Sequence, residues 1–168
     1  SDALLGRPLR VDPTKVGERV QTFLNERRAV MADEEKRAGA SFLDAAQQAP
    51  GTRRTVSGAF YVDLVEGTGA SPKLSDRVKI QYRGVRYDGS VFDDSYARNK
   101  PETFGVNRVI PCWMEALQLM KVGGKARVTC NSDLAYGDRG LAGRVLPGAP
   151  LQFELELLEI LPPTPATP

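Results

Sequence analysis

Histidine is absent from all 168 residues of this chain. That single absence excludes Ser-His-Asp triads, Cys-His dyads and histidine-ligated metals. Cysteine occurs only twice, as Cys112 and Cys130, with neither zinc-ligand spacing nor a Cys-x-x-Cys redox pair. The glycine-rich segments "GTGASP" and "KVGGKA" lack the spacing of phosphate loops and of dinucleotide-binding turns. A formal net charge of +2, with no dense Lys/Arg cluster, offers nothing to nucleic acid. No stretch approaches the roughly 18 consecutive apolar residues that a membrane span needs. The sequence opens Ser-Asp-Ala-Leu-Leu-Gly, without an initiator Met or an apolar leader. Any secretory signal is therefore expected to have been removed or to lie outside this sequence. What survives these exclusions is chemistry done by shape, hydrogen bonds and a desolvated pocket, with no cofactor and no metal.

What is present suffices for one good core: 41% of the residues are hydrophobic and 26% charged. Over residues 14–49, Val16, Val20, Phe23, Leu24, Val30, Met31, Ala38, Phe42 and Ala46 recur mostly at three- and four-residue steps. The pattern predicts a long amphipathic helix, opened by "DPT" and closed by "APG". As one continuous helix it would run roughly 50 Å. Eight Lys/Arg balance eight Asp/Glu over residues 1–50, so its polar face does not suit a membrane surface. Its apolar stripe suits a plain stalk or association with another helix.

After Gly51 the period becomes two. "RVKIQY" puts Val78, Ile80 and Tyr82 on one face; "ARVTC" does so with Ala126, Val128 and Cys130, and "LQFELEL" with Leu151, Phe153, Leu155 and Leu157. Each predicts a half-buried antiparallel strand. Asp88-Gly89 in "RYDGSVF" predicts a hairpin turn, since both residues tolerate positive φ. "PCWMEALQLMKVGG" predicts one short helix, with Pro111 and Glu115 in its opening turn, Lys121 near its end and Gly123-Gly124 as its stop. Trp113, the only tryptophan, falls in line with Leu117 and Met120 on that helix. The pattern places an N-terminal arm and long helix at 1–50, an α+β domain at 51–162 and a disordered Pro-rich tail at 163–168.

In this order, "VKIQYRGVRYDGSVFDDSYARNKP", "VIPCWMEALQLMKVGGKARV", "DLAYGDRG" and "LPGAPLQFELELLEI" resemble the FKBP-type peptidyl-prolyl cis-trans isomerases, nearly unbroken over residues 57–162. The helix followed by "ASFLDAAQQAPGTRRTVSGAFYVDLVEGTG" resembles the macrophage infectivity potentiator-like (Mip-like) branch. The resemblance implies a five-stranded antiparallel half-barrel wrapped on one short helix, with a shallow pocket for a substrate proline between them. Trp113 would form the pocket floor. Tyr82, Phe92, Val109, Ile110, Tyr136 and Phe153 match wall positions, and Phe104, Leu141 and Val145 complete the expected binding surface. Asp93 matches the pocket carboxylate, with Arg98 and the Tyr82 hydroxyl placed to hold it. Ile110 would contribute its backbone N–H and Tyr136 its hydroxyl as donors to substrate carbonyls. The implied partners are proline-containing peptides and unfolded proteins, macrolides such as tacrolimus and rapamycin as inhibitors, and a second copy through the N-terminal helix. The implied location is periplasmic, outer-membrane-associated or secreted.

Each of these residues also has a plainer reading. Phe153 and Val109 suit a simple core, Tyr136 a buried tyrosine with a local partner, and Asp93 a structural salt bridge with Arg98. A second function also fits: a chaperone or adhesion module using the same pocket and helix without turnover. Four positions depart from the family pattern. Leu141 stands where relatives often carry histidine, and Arg144 at a commonly apolar position. Glu102 replaces an aromatic, and Cys112 the usual glycine before the tryptophan.

Cys130 lies on the apolar face of "ARVTC", a strand expected to pack near the start of the Trp113 helix, which would put Cys112, in the helix's first turn, within reach of it. A bridge between them would close a modest loop. Against it stand the family's pocket, built without a disulfide, and the commonness of buried free cysteine. Two free thiols are the expectation.

Overall fold

The computed structural model describes residues 12–165. The expected N-terminal arm up to residue 11 and the last part of the Pro-rich tail, 166–168, lie outside the described residues, while Pro163–Pro165 carry no regular secondary structure.

The N-terminal region is two helices, not one: α1, Pro13–Ala38, and α2, Ala40–Gln48. Asp12 caps α1 by accepting from Thr14 N, and Pro13 sits at the first helical position, where its missing N–H costs nothing. The break falls at Gly39. A side chain there would meet Pro150 Cγ at 2.2 Å, so the chain passes this point only as glycine. The α1 apolar stripe is not covered by the domain: Val16, Val20, Phe23, Leu24, Val30 and Met31 are all exposed, and Ala32 is the one buried residue of α1. Ala32 is held beneath Gly148, and Lys36 pairs with Asp138 at 2.8 Å, fixing the end of α1 beside the loop region of residues 131–150. Phe42 and Ala46 of α2, with Ala49 just past its end, face Phe60, Val62 and Thr129 across a groove.

The strands are β1, Arg53–Arg54; β2, Phe60–Val65; β3, Arg77–Arg86; β4, Val91–Asp94; and β5, Glu102–Gly105. The helix α3, Pro111–Leu119, is followed by β6, Lys125–Cys130, and β7, Leu151–Leu161. All pairings are antiparallel, in the order β1-β2-β6-β7-β3-β4, with β5 also on β3. β4 and β5 pair successive parts of β3, Arg83–Val85 and Arg77–Ile80, and so act as one edge strand interrupted by an excursion. The principal sheet is the expected five-stranded antiparallel sheet, with β4 and β5 sharing one edge, extended at the other edge by the two-residue β1.

Alternation decides what is inside. Val78, Ile80 and Tyr82 of β3, Ala126, Val128 and Cys130 of β6, and Leu151, Phe153, Leu155 and Leu157 of β7 are all buried. They share one core with Trp113, Ala116 and Leu117 of α3. Glu115, on α3, ties the helix to the turn before β2 by accepting from Thr55 Oγ1 at 2.5 Å, Ser57 Oγ at 2.8 Å and Ser57 N at 3.0 Å.

Three local expectations change. The helix α3 stops at Leu119, short of Lys121, because Met120 turns extended while its N–H still bonds the Ala116 and Leu117 carbonyls. The hairpin has three turn residues, with Arg86 N donating to Ser90 O at 2.9 Å, and only Gly89 takes positive φ, at 84°. A loop with one left-handed residue keeps the twist of the flanking strands without asking Asp88 to adopt that conformation. The third concerns the cysteines. Cys112 and Cys130 form a disulfide, and among the described residues no cysteine is free. The sheet brings the end of β6 under the first turn of α3, with the two Cα atoms 6.2 Å apart, inside bridging range.

Candidate active site

Between α3 and the sheet lies a cavity of about 300 Å³. Trp113, 6% exposed, is ringed edge-on by Tyr82, Phe104 and Phe153, at centroid distances of 4.9, 5.5 and 5.3 Å. Phe92 meets Phe153 edge-on at 5.7 Å. Such edge-to-face pairs contribute about 0.5–1.5 kcal/mol each beyond burial and fix ring orientation. Gly84, on β3, makes room for two of the rings. A Cβ at that position would lie 2.6 Å from Phe92 Cζ and 3.0 Å from Phe153 Cε1.

Asp93, on β4, is held from two sides. Arg98 Nη1 donates to its Oδ1 at 2.5 Å, and the Tyr82 hydroxyl donates to its Oδ2 at 2.9 Å. A second Arg98 nitrogen donates to the Tyr82 oxygen at 2.9 Å, closing a triangle. Local sequence builds this. Asp94 Oδ1 accepts from Tyr96 N and Ala97 N, bending the chain after β4, and buried Ser95 accepts from Tyr82 N at 2.7 Å. The bend returns Arg98 onto the residue five positions before it. Burial, and then the Asp93 carboxylate, push the Tyr82 hydroxyl pKa above its ordinary 10.

Tyr136 stands on another wall, half-buried beside the 3-10 turn Gly137–Arg139. Burial raises its pKa, Asp93 raises it further, and Arg144 opposes the shift. Among the described residues its hydroxyl meets no hydrogen-bond partner. Ile110, immediately before α3, accepts from Trp113 N and Met114 N through its carbonyl, while its own N–H bonds no described group. The cavity therefore offers two open donors, one hydroxyl and one amide.

The structure brings nine of the sequence-proposed residues to the cavity: Tyr82, Phe92, Asp93, Phe104, Val109, Ile110, Trp113, Tyr136 and Phe153. Arg98 stands behind Asp93 and does not line it. Leu141 and Val145 do not line it either. They pair with each other through reciprocal 2.8 Å backbone hydrogen bonds, which fold the loop on itself and bury Val145. Arg108 lines the cavity and was missed by sequence reasoning, because an exposed arginine in a turn gives no pattern. Gly84 was missed too, although a glycine inside a strand does signal close approach.

With this geometry in view, residues 69–158 match the family described as FKBP-type peptidyl-prolyl cis-trans isomerase. The chain belongs to that family of enzymes. Among its relatives is the FKBP-type 22 kDa peptidyl-prolyl cis-trans isomerase of Escherichia coli strain K12, 42% identical over 147 residues, covering 88% of this chain and 69% of that protein. Another is the outer membrane protein MIP of Legionella longbeachae, 43% identical over 129 residues, covering 77% of this chain and 55% of that protein. The crystal structure of FkpA from Escherichia coli superposes with a TM-score of 0.78 at 29% identity, covering 91% of this chain and 75% of that one. The chain thus spans only part of the length of each of these proteins. Among the described residues no helix is long and apolar enough to cross a membrane.

Proposed function

We propose that this chain catalyses cis/trans rotation about X-Pro bonds in the cavity over Trp113. The observation that carries the reading is an aromatic floor beside a carboxylate already satisfied by Arg98 and Tyr82. Rotation breaks no covalent bond and moves no proton, so a chain without histidine loses nothing. The barrier is loss of amide resonance. The twisted amide has a less polar carbonyl and a pyramidal nitrogen, and water solvates it less well than the planar form. A ring-lined pocket therefore favours the twisted state differentially. Uncatalysed rotation takes about 10–100 s. Reaching milliseconds needs a factor of about 10⁴–10⁵, or roughly 5.5–7 kcal/mol. Desolvation over Trp113, Tyr82, Phe104 and Phe153, with hydrogen bonds from the Tyr136 hydroxyl and the Ile110 N–H to substrate carbonyls, is of that order. In this reading Asp93 polarises the pocket wall at the proline nitrogen, and Arg98 positions it.

The same reading extends to proteins as substrates. The exposed stripe of α1 offers Phe23, Leu24 and Val20 to an unfolded client or to a second copy, and macrolides such as tacrolimus and rapamycin are the expected inhibitors at Trp113. The disulfide supports an extracytoplasmic location. A binding module without turnover is the second reading, favoured by that same exposed stripe. An isomerisation assay on short X-Pro peptides decides between them. Turnover inhibited by rapamycin, and sharply reduced in folded Asp93→Val and Trp113→Ala proteins, supports the enzyme. Binding of peptide with no acceleration supports the module. Removal of residues 1–50 is expected to spare short peptides and weaken action on unfolded proteins.

A further inference from the structure

Two charged residues line the cavity, and only one is neutralised. Asp93 is occupied by Arg98, which also reaches Glu102 at 3.8 Å. Arg108, at the end of the 3-10 turn Val106–Arg108, is exposed and has no carboxylate within ion-pairing distance among the described residues. Its stem is seated: Cγ and Cδ lie against Gly105, in contact range of a Cβ built there, at 3.6 Å each. On its far side a shallow cleft contains Asp76, whose carboxylate accepts from Lys73 N at 2.7 Å. Across the mouth, Arg144 is exposed and likewise without an ion pair, and its charge reaches the Tyr136 hydroxyl. The Arg86 guanidinium lies 5.6 Å over the Phe92 ring and donates to the Arg144 carbonyl and the Ser90 hydroxyl, neutral acceptors that leave its charge in place. Asp88 is the carboxylate on which Arg86 acts, and its oxygen also accepts from Ser90.

We propose that Arg108 selects among substrates, favouring proline segments that carry a carboxylate side chain next to the proline over those that carry lysine. The proposal rests on the isomerase reading and deepens it. A substrate carboxylate entering the cavity meets a positive charge that no protein group has already neutralised, on a wall of rings that excludes part of the solvent. Substrate lysine meets the same charge as repulsion. An exposed pair of this kind changes a rate by up to about fivefold, and the Glu-to-Lys ratio, which sets that attraction against a comparable repulsion, by about five- to tenfold. Screening lengths of roughly 10 Å at 0.1 M salt and 3 Å at 1 M make the effect salt-sensitive.

The test is kcat/KM on peptides with Glu, Gln or Lys placed immediately before or immediately after proline. Turnover of the Gln peptides checks the isomerase reading by itself, and the Glu-to-Lys ratio checks the selectivity. A ratio of about fivefold or more at one flank is expected in low salt, falling towards unity in 1 M salt. It is expected to collapse in Arg108→Gln and to invert in Arg108→Glu, each normalised to its own Gln peptide. The salt series on the unaltered protein serves if a variant fails to fold. A ratio within about twofold at both flanks in low salt, or one that Arg108→Gln leaves unchanged, overturns the proposal.

Discussion

Reduction of the Cys112–Cys130 disulfide is the perturbation whose cost can be worked most directly. The bridge joins the first turn of α3 to the last residue of β6 across a sequence separation of 18, and both residues are fully buried. In the chain-entropy account, closing a loop of that size removes about 3 kcal/mol of freedom from the unfolded ensemble. A domain has about 5–15 kcal/mol of stability in all, so the loss is large. With urea m-values of about 1–3 kcal/mol/M, the unfolding midpoint should fall by about 1–3 M. The melting temperature should fall by about 6–12 °C. Because no sulfur is exposed, a reductant reaches the bond only when α3 opens from β6, so reduction in native buffer should be slow and should accelerate with denaturant. Folded-state packing changes little, since Ala116, Leu117 and Met120 still hold the helix, so isomerase activity well below the melting temperature should persist. Urea titrations of oxidised and reduced protein, with thiol counting in denaturant, measure all of this. Two thiols titrating in unreduced protein, or a midpoint shift under about 0.5 M, would refute the reasoning.

In Gly84→Ala the new methyl meets Phe92 and Phe153 inside contact distance, so a folded variant should lose kcat/KM through ring displacement while stability falls by about 1–3 kcal/mol. Full activity would show that the rings are not set by that gap. Gly148 takes φ of 77° with a Cβ position 2.3 Å from the Ala32 carbonyl oxygen. Gly148→Ala should therefore undock the end of α1, cost about 1–3 kcal/mol or more, and speed proteolysis near residues 39–52; an unaltered urea midpoint and digestion pattern would count against the docking. Without histidine or free thiol among the described residues, activity should be flat from about pH 6 to pH 9. Burial raises the hydroxyl pKa values of Tyr61, Tyr82, Tyr96 and Tyr136 above 10, while unfolded tyrosines ionise near 10. Above about pH 10 the unfolded chain sheds protons that the folded chain keeps, so stability should fall as pH rises, and urea midpoints that stay level to pH 11 would contradict these shifts.

How much of this was legible depends on which physical constraint is local. The alternation through Val78, Ile80 and Tyr82 was readable because one sheet face is solvated, and the same holds for β6 and β7. Trp113, Leu117 and Met120 were readable as one stripe. The family resemblance, rather than any periodicity, singled out Asp93, Ile110 and Tyr136, whose chemistry leaves no local pattern. The break at Gly39 had a signal, a glycine inside a helical run, but what requires glycine there is Pro150, which fills the side-chain space from more than a hundred residues away.

By itself, then, the sequence determined the strands β3, β6 and β7, the short helix, the exclusion of histidine-based catalysis and histidine-ligated metals, and the family, since each rests on residue types or on spacing along the chain. Tertiary structure alone decided that Cys112 meets Cys130, that Gly84 opens space for the rings of Phe92 and Phe153, and that Arg108 lines the cavity without a counter-charge. These depend on distances between segments far apart in the chain. Such distances are set by how the sheet twists around α3, and no window along the sequence contains that information.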